Sequence, residues 1–329
     1  MACPFCSIII PAYNAEQTIG QCLESLQLKD HFETSVEVLV IDDGSNDQTA
    51  LVAQRSLNGV QNAKVISQAN GGVSKARNAG LLIAKGKYIC FLDADDTIDR
   101  EALEKVFEIA LARECDFLLA DYIAIEKDSI QTKECNFPHN QMASRPELQK
   151  VFLSNMFTYN GQGLPTVWGK LFKRELIEKN QLLFDERQKY GEDLAFSLTY
   201  ANYAETVLAL GHPFYRYFIS GAIPYRKRDY SYDLKKVHEL LLSMNDEYGV
   251  FSKDSSQYFS FKKHFFYETL WYLKNEFVSS HQKREFLRTH VIRDTLRYLK
   301  QNKKALTQDE RKILFFLTPL LYRISLRWV

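Results

Sequence analysis

The sequence predicts an α/β fold, a mostly parallel sheet with helices on both faces, followed by a mainly helical C-terminal extension. Three observations carry that expectation. Short, largely apolar runs at 7–10 (SIII), 36–41 (VEVLVI), 65–66 (VI) and 88–92 (YICFL) alternate with segments of helical spacing. Strands apolar on both sides belong in a parallel sheet that is covered on both faces. The runs at 7–10, 36–41 and 88–92 each end in a polar cluster, and such sheets bind ligands outside the carboxyl ends of their strands. Residues 226–329 contain one glycine, Gly249, and one proline, Pro319, which leaves little to interrupt helices.

Each element follows from local pattern. The first strand is stopped by Pro11 and followed by Ala12, Tyr13 and Asn14, after which Ile19, Cys22, Leu23 and Leu26 give residues 15–28 helical spacing. The second strand ends in Asp42–Asp43–Gly44 and feeds a helix over 48–57. After the short third strand, Asn70–Gly71–Gly72 opens a helix that runs to Ala84. The strand 88–92 closes this series, and a helix over 101–113 and a strand over 116–122 follow it.

Composition narrows the class. The 329 residues are 46% hydrophobic and 25% charged, ordinary for a soluble globular chain with a sizeable core. The net charge of +1 conceals an asymmetry, with 21 Lys and Arg against 29 Asp and Glu in residues 1–225, and 21 against 12 in residues 226–329. A domain boundary is therefore expected near 225, with residues 226–329 as a basic helical region. No stretch has the ~20 apolar residues that cross a bilayer, and no signal peptide precedes the first strand. The six cysteines are scattered, which fits a reducing cytosol. Cys3-x-x-Cys6 has no second pair and precedes a strand, so neither metal binding nor redox chemistry is expected of it. No nucleic-acid partner is expected.

The chemistry centres on 87–99, KYICFLDADDTID. If the backbone stays extended past Leu92, Asp93 and Asp95 share one face and Asp96 leaves on the other. Two carboxylates that close together call for a cation, and oxygen-only ligands suit Mn²⁺ or Mg²⁺ holding a phosphate. The bland alternative is a solvated turn with Asp99 capping the next helix. Asp42 and Asp43 either form an Asx-turn or accept from a base or a ribose hydroxyl at the sheet rim. Gly71–Gly72 is either plain turn chemistry or a phosphate approach, and Arg77, one turn inside the helix, is within reach of a diphosphate. No G-x-G-x-x-G follows the first strand and no G-x-x-x-x-G-K-[ST] occurs, so dinucleotide binding and P-loop chemistry are excluded. In the second half, Glu192–Asp193 is either a general base or the acidic first turn of a helix. Trp168 is a core aromatic or a sugar platform, Lys170 a phosphate or glycan contact or a solvated lysine. His212 is an acceptor-site or a structural histidine.

Together SIIIPAYNAE, VLVIDDGSNDQT, NGGVSKARNAG and YICFLDADD, in this order and spacing over residues 7 to about 100, resemble the nucleotide-sugar-binding half of family 2 glycosyltransferases of the GT-A fold. VWGKLF (167–172) and YGEDLAF (190–196) resemble two patches of the same family's acceptor half. The resemblance implies a GT-A domain over 1–225, with 1–100 binding the donor and 101–225 the acceptor. It implies inverting transfer from a nucleotide-diphospho-sugar, a UDP-sugar, to a glycan or lipid-linked acceptor in capsule, exopolysaccharide, lipopolysaccharide or other surface-glycan assembly. By position in the motifs, Asp193 is the catalytic base and Asp95 the metal ligand, with Asp93 at the ribose or in the metal shell. Pro11, Tyr13, Asn14, Glu16, Asp42, Asp43, Asn70, Gly71, Arg77 and Ala94 face the nucleotide sugar. Trp168, Lys170, Glu192 and His212 face the acceptor.

Two other classes compete. A metal-dependent nucleotidyltransferase needs a basic Gly-rich loop after the first strand, absent here, and a non-catalytic glycan-binding scaffold has no need of Asp43, Asp95 and Asp193 together. Residues 311–329 mix apolar residues with flanking cations and end in Arg327–Trp328. That segment is read as a peripheral membrane contact at the inner face of the plasma membrane, as internal packing, or as a homodimer contact. The end resembles the Q-x-x-R-W of processive synthases superficially, but Ile324 stands at its first position, so single-sugar transfer is expected.

Overall fold

The computed structural model describes residues 4–28, 32, 35–127, 129–135, 137–158, 166–219, 231–248, 252, 253, 255–274, 279–308 and 310–314. The chain divides into two compact units, Met1–Phe152 with Gly161–Gly221, and Leu153–Asn160 with Ala222–Val329.

The first unit is built on a sheet whose described strands run in the order β3 (Ala63–Ser67), β2 (Val36–Asp42), β1 (Cys6–Ala12), β4 (Tyr88–Phe91), β9 (Lys170–Lys173), β6 (Phe117–Glu126), β10 (Thr206–Phe218) and β5 (Thr97–Ile98). The strands β3, β2, β1 and β4 are mutually parallel; β2, β1 and β4 are buried along their whole length, as their apolar sequences require, whereas β3 at the sheet edge is half exposed. β9 enters antiparallel between β4 and β6, and β6 and β10 are parallel again. The hairpin strand β7 (Ser129–Lys133) pairs with β6, and β8 (Met142–Ser144) with β10.

Pro11 does not stop the first strand, because β1 runs through it to Ala12. The register explains this. The β1–β4 ladder ends at Ile9–Phe91 while the β1–β2 ladder continues to Ala12–Asp42. Position 11 turns its nitrogen toward β4, beyond the last ladder bond, so a residue with no N–H loses nothing there.

Alternate β1 side chains serve two layers. Ile8 and Ile10 are fully buried with Ile19, Cys22 and Leu23 of α1 (Ile19–Ser25) and with Leu103, Val106 and Phe107 of α4 (Arg100–Arg113). Asp99 caps α4, its carboxylate accepting from the Ala102 N–H at 3.1 Å, so the helix-cap alternative holds for that residue. On the opposite face α3 (Val73–Ile83) lies so close to the sheet that a Cβ at Gly80 would sit 2.4 Å from Ile9 Cγ2. An aromatic layer continues this face, with Phe91 edge-on to Phe172, Phe184 and Phe196. The helices α2 (Thr49–Ser56), α5 (Arg145–Thr158), α6 (Arg174–Lys179) and α7 (Glu192–Ala201) complete the succession.

The second unit contains α8 (Ser231–Tyr248), α9 (Ser256–Lys274), α10 (Ser280–Arg288) and α11 (His290–Gln301), helical as the scarcity of Gly and Pro implies. Its core gathers Phe265, Phe266, Tyr272, Phe286, Leu287, Ile292, Leu296 and Leu299. A capping box between Ser279 and Gln282 opens α10. Most of 311–329, the segment read as membrane, packing or dimer contact, lies outside the described residues, as does Cys3 of the C-x-x-C.

Candidate active site

The carboxyl ends of β1, β2 and β4 meet at one rim, as the parallel register demands. The loops after β1 and β2 lock onto each other through polar groups. Asn14 N–H donates to Ser45 Oγ at 2.9 Å, Asn46 N–H to Asn14 Oδ1 at 2.9 Å, and Ala15 N–H to Thr49 Oγ1 at 2.7 Å. Glu16 Oε2 accepts from Gln48 N–H at 2.9 Å, at the start of α2. That carboxylate is engaged in loop closure rather than turned to the cavity described below, which corrects its expected place. Asp42 is buried and its Oδ1 accepts from Ser45 N–H at 3.2 Å, the Asx-turn alternative.

Asp43 is 3% exposed and works across the rim. Its carboxylate accepts from Gly72 N–H at 2.7 Å, from Gly71 N–H at 3.0 and 3.1 Å, and from Gln68 Nε2 at 2.7 Å. Asn70 Nδ2 donates to the Asp43 carbonyl at 2.9 Å. Asp43 thus fixes the turn before α3, where Gly72 has φ +93°, a backbone that side chains rarely tolerate.

α3 then carries Arg77 to the centre of the site. Arg77 is 3% exposed. Its Nη2 donates to Asp93 Oδ1 at 3.0 Å, and its Nη1 bonds Glu192 Oε1 at 3.2 Å and, in a short contact, Asp193 Oδ1. The Phe184 ring lies 5.4 Å beneath the guanidinium. Residues 16 and 116 positions distant in sequence therefore converge on one cation, which bridges carboxylates while lining the cavity described below. Glu192 and Asp193 reach it because Gly191, with φ +68°, starts α7 there.

One guanidinium facing three acids leaves excess negative charge in a poorly solvated place. Desolvation outweighs the Arg77 attraction at Asp193, and with Glu192 beside it the Asp193 carboxyl is pushed up to about 7. Asp93 is raised in the same way, by burial first and by Asp193. Asp96 is buried, but strand alternation does not put it there: the chain turns over Ala94 and Asp95, with Asp96 N–H donating to the Asp93 carbonyl at 3.1 Å, so the extended path expected past Leu92 is not kept. Tyr215 Oη donates to Asp96 Oδ2 at 2.6 Å and Phe218 N–H to its Oδ1 at 2.8 Å, yet burial and then Asp93 push it up to about 8.

A cavity of about 400 Å³ opens beside this cluster. Pro11, Tyr13, Asn14, Arg77, Asp93, Ala94 and Asp95 line it, with Ala15, Thr18 and Val73. Tyr13 and Asp95 are exposed at its edge. Asp93 and Asp95 bring oxygen donors to one wall, a set that fits a hard divalent cation.

The acceptor-side expectations fare differently. Trp168 is buried and its ring stacks on Tyr215 and Tyr217, with centroids 4.7 and 5.2 Å away. Those contacts make it a core aromatic, correcting its expected role as a sugar platform. Lys170 is equally buried, donating to Thr166 Oγ1 at 3.0 Å and to the Trp168 carbonyl at 3.2 Å, and desolvation lowers it to about 7. It is neither solvated nor open to a glycan. His212 is exposed in the irregular stretch of β10 between Leu210 and Tyr215 and does not line the cavity. Tyr215 instead anchors Asp96 and accepts from Asp93 N–H at 3.2 Å. Lys189, donating to the Gly71 carbonyl at 3.3 Å, carried no motif that marked it.

The parallel β3–β2–β1–β4 rim, its D-x-D at the end of β4 and the acidic start of α7 define a GT-A-type transferase. The chain matches the glycosyl transferase family 2 model over residues 7–179 and belongs to that family. It is 30% identical over 251 residues to the uncharacterized glycosyltransferase EpsJ of Bacillus subtilis, spanning 75% of this chain and 71% of that one. It is 29% identical over 214 residues to poly(ribitol-phosphate) beta-N-acetylglucosaminyltransferase TarS of Staphylococcus aureus, spanning 64% of this chain and 35% of that protein. The crystal structure of TarS residues 1–349 in complex with UDP superposes with a TM-score of 0.65 at 22% identity, covering 97% of this chain and 86% of that one.

Proposed function

We propose that this glycosyltransferase moves one sugar, with inversion, from a UDP-sugar to a hydroxyl of a glycan or lipid-linked acceptor in bacterial surface-glycan synthesis. The observation that carries the reading is Arg77, which joins the D-x-D carboxylate Asp93 to Asp193 of the acceptor half through one guanidinium. The reacting groups of both substrates then have a common anchor. Donor class is supported by TarS, which has been solved with UDP and with UDP-GlcNAc, and surface-glycan synthesis by that protein's name.

The donor occupies the cavity between the loops after β1 and β4, whose volume suits a small ligand. Asp95, with Asp93 beside it, holds Mn²⁺ or Mg²⁺. The cation supplies charge neutralisation for the departing diphosphate. Asp43 shapes the nucleotide end by fixing the Gly71–Gly72 turn. Asp193 takes the proton of the acceptor hydroxyl, and a carboxyl pushed up to about 7 has the basicity that general-base catalysis favours near neutral pH. Arg77 orients that carboxylate and, by its charge, keeps part of it ionised. Glu192 shares the cation and sets the entry side for the acceptor.

Among the described residues no helix is long and apolar enough to cross a membrane. A cytoplasmic protein held peripherally at the inner membrane face through residues 311–329 agrees with the cations and aromatics of that segment. The activity test is Asp193→Asn, assayed for UDP release with and without acceptor and for Mn²⁺–UDP binding by calorimetry. Binding is expected to persist while acceptor-dependent transfer falls by ~10²–10⁴. Transfer within a few-fold of wild type would remove Asp193 from the role of base.

A further inference from the structure

On the β6–β10 side of the first unit, a segment following β7 crosses the sheet and brings three metal-ligand side chains together. Asp121 stands on β6, and Cys135 and His139 lie on the crossing segment. Asp121 Oδ1 is 3.0 Å from His139 Nε2, Cys135 Sγ is 3.9 Å from the same nitrogen, and all three ligand atoms lie within 4.8 Å of one another. We propose that Asp121, Cys135 and His139 form a binding site for a zinc-class transition-metal ion, separate from the donor cavity.

The geometry fits the ion. With bonds of about 2.0–2.1 Å to nitrogen and oxygen and about 2.3 Å to sulfur, a tetrahedral centre spaces its N and O ligands by about 3.3 Å and its N and S ligands by about 3.6 Å. The two separations from His139 Nε2, 3.0 Å to Asp121 Oδ1 and 3.9 Å to Cys135 Sγ, differ from these by a few tenths of an ångström, and side-chain rotation of Asp121 and Cys135 within their 4.8 Å cluster closes the third pair. The donor set also selects the metal, since sulfur and imidazole favour zinc over the hard cations suited to Asp93 and Asp95. A thiolate, a carboxylate and a neutral imidazole neutralise a divalent charge, which suits a place where Asp121 and Cys135 are both more than nine-tenths buried. His139 is 30% exposed, leaving a side from which water completes the coordination.

The surroundings hold these residues in place. Cys135 N–H donates to Asp121 Oδ1 at 2.9 Å, pinning the cysteine to β6. Asn140 N–H donates to the Ala209 carbonyl at 2.8 Å, pinning the histidine to β10. Gly211 makes room for the ring, because a Cβ there would lie 3.1 Å from His139 Nδ1. Without metal, burial pushes the Cys135 thiol up to about 12, so metal binding releases its proton to solvent as the sulfur–metal bond forms. The bound ion would staple the crossing segment to β6 and β10.

The test uses the full chain without a histidine tag, stripped of metal, equilibrated with Zn²⁺, desalted and analysed for metal content. One zinc per chain is expected in the wild type, with none retained by Cys135→Ser or His139→Gln. Zn²⁺ is expected to raise the melting temperature of the wild type only, while the metal-free proteins melt together. Because a variant can fail to fold, Co²⁺ is added to the wild type as well, where a thiolate-to-cobalt charge-transfer band is expected. Absence of that band, no retained zinc, or equal zinc in wild type and both variants would overturn the proposal.

Discussion

Replacing Arg77 with methionine keeps the bulk of the side chain in its place over Phe184 and removes the buried cation that Asp93, Glu192 and Asp193 share. Deleting one partner of a buried ion pair costs about 3–5 kcal/mol, because the remaining charge is left uncompensated. Here the acids retain 16–26% of their side-chain exposure, and they can take up a proton instead. The lower end, about 3 kcal/mol at pH 8, is therefore expected in urea unfolding. The sign of the pH effect follows from the same geometry. In the wild type the Asp193 carboxyl lies at about 7 although Arg77 pulls it down. Without the cation it rises further, by roughly one unit or more, each unit being 1.36 kcal/mol. If Asp193 is the base proposed above, it acts ionised, so the rising limb of rate against pH should move to the alkaline side by that amount. The stability loss should shrink toward pH 5, where the Asp193 carboxyl, already at about 7 in the wild type, is largely neutral in both folded proteins. Initial-rate assays from pH 5.5 to 9, together with unfolding at pH 5 and pH 8, read both effects. A variant within 1 kcal/mol of wild type at pH 8, with an unmoved pH profile, would refute the claim that this cation organises the site.

Other perturbations separate the remaining roles. Asp95→Ala, at an exposed rim position, should leave the fold intact and abolish Mn²⁺-dependent thermal stabilisation by UDP, and equal UDP affinity in EDTA would remove Asp95 as metal ligand. Glu192→Gln should reduce transfer less than Asp193→Asn, since successive helical side chains point about 100° apart; the reverse order would exchange their roles. Asp96 is raised to about 8 in the folded protein, so its contribution to stability is full below the ordinary carboxylate range and is lost as pH rises from about 4 through 8. Asp96→Asn should flatten that decline in unfolding measurements at a series of pH values, and an unchanged slope would assign it to other groups. Gly80→Val forces a side chain into the space held by Ile9 and should cost about 1–3 kcal/mol in urea unfolding, against no change if the helix simply shifts outward.

The sequence by itself determined the repeating strand–helix order of 7–92, the parallel pairing of the first four strands and the common rim of Asp42, Asp43 and Asp93. Those features follow from period and polarity along a short stretch, and a parallel sheet then aligns strand ends without further information. Tertiary structure decided everything that depends on groups distant in sequence. Arg77 reads as a cation one turn into a helix within reach of a diphosphate, and only the arrival of Asp93 and α7 makes it a buried bridge between carboxylates. For Trp168 the choice between core aromatic and sugar platform stays open, and Lys170 reads as a glycan contact or a solvated lysine, because their motif says nothing about Tyr215 and Tyr217, which cover the ring, or about the desolvation that lowers the lysine. Cys135 and His139 lie four residues apart, but Asp121 joins them only because the segment after β7 returns to β6, a contact that the sequence does not spell. Local sequence fixes backbone period, whereas burial and charge compensation are properties of what packs opposite, and these are written only in the folded chain.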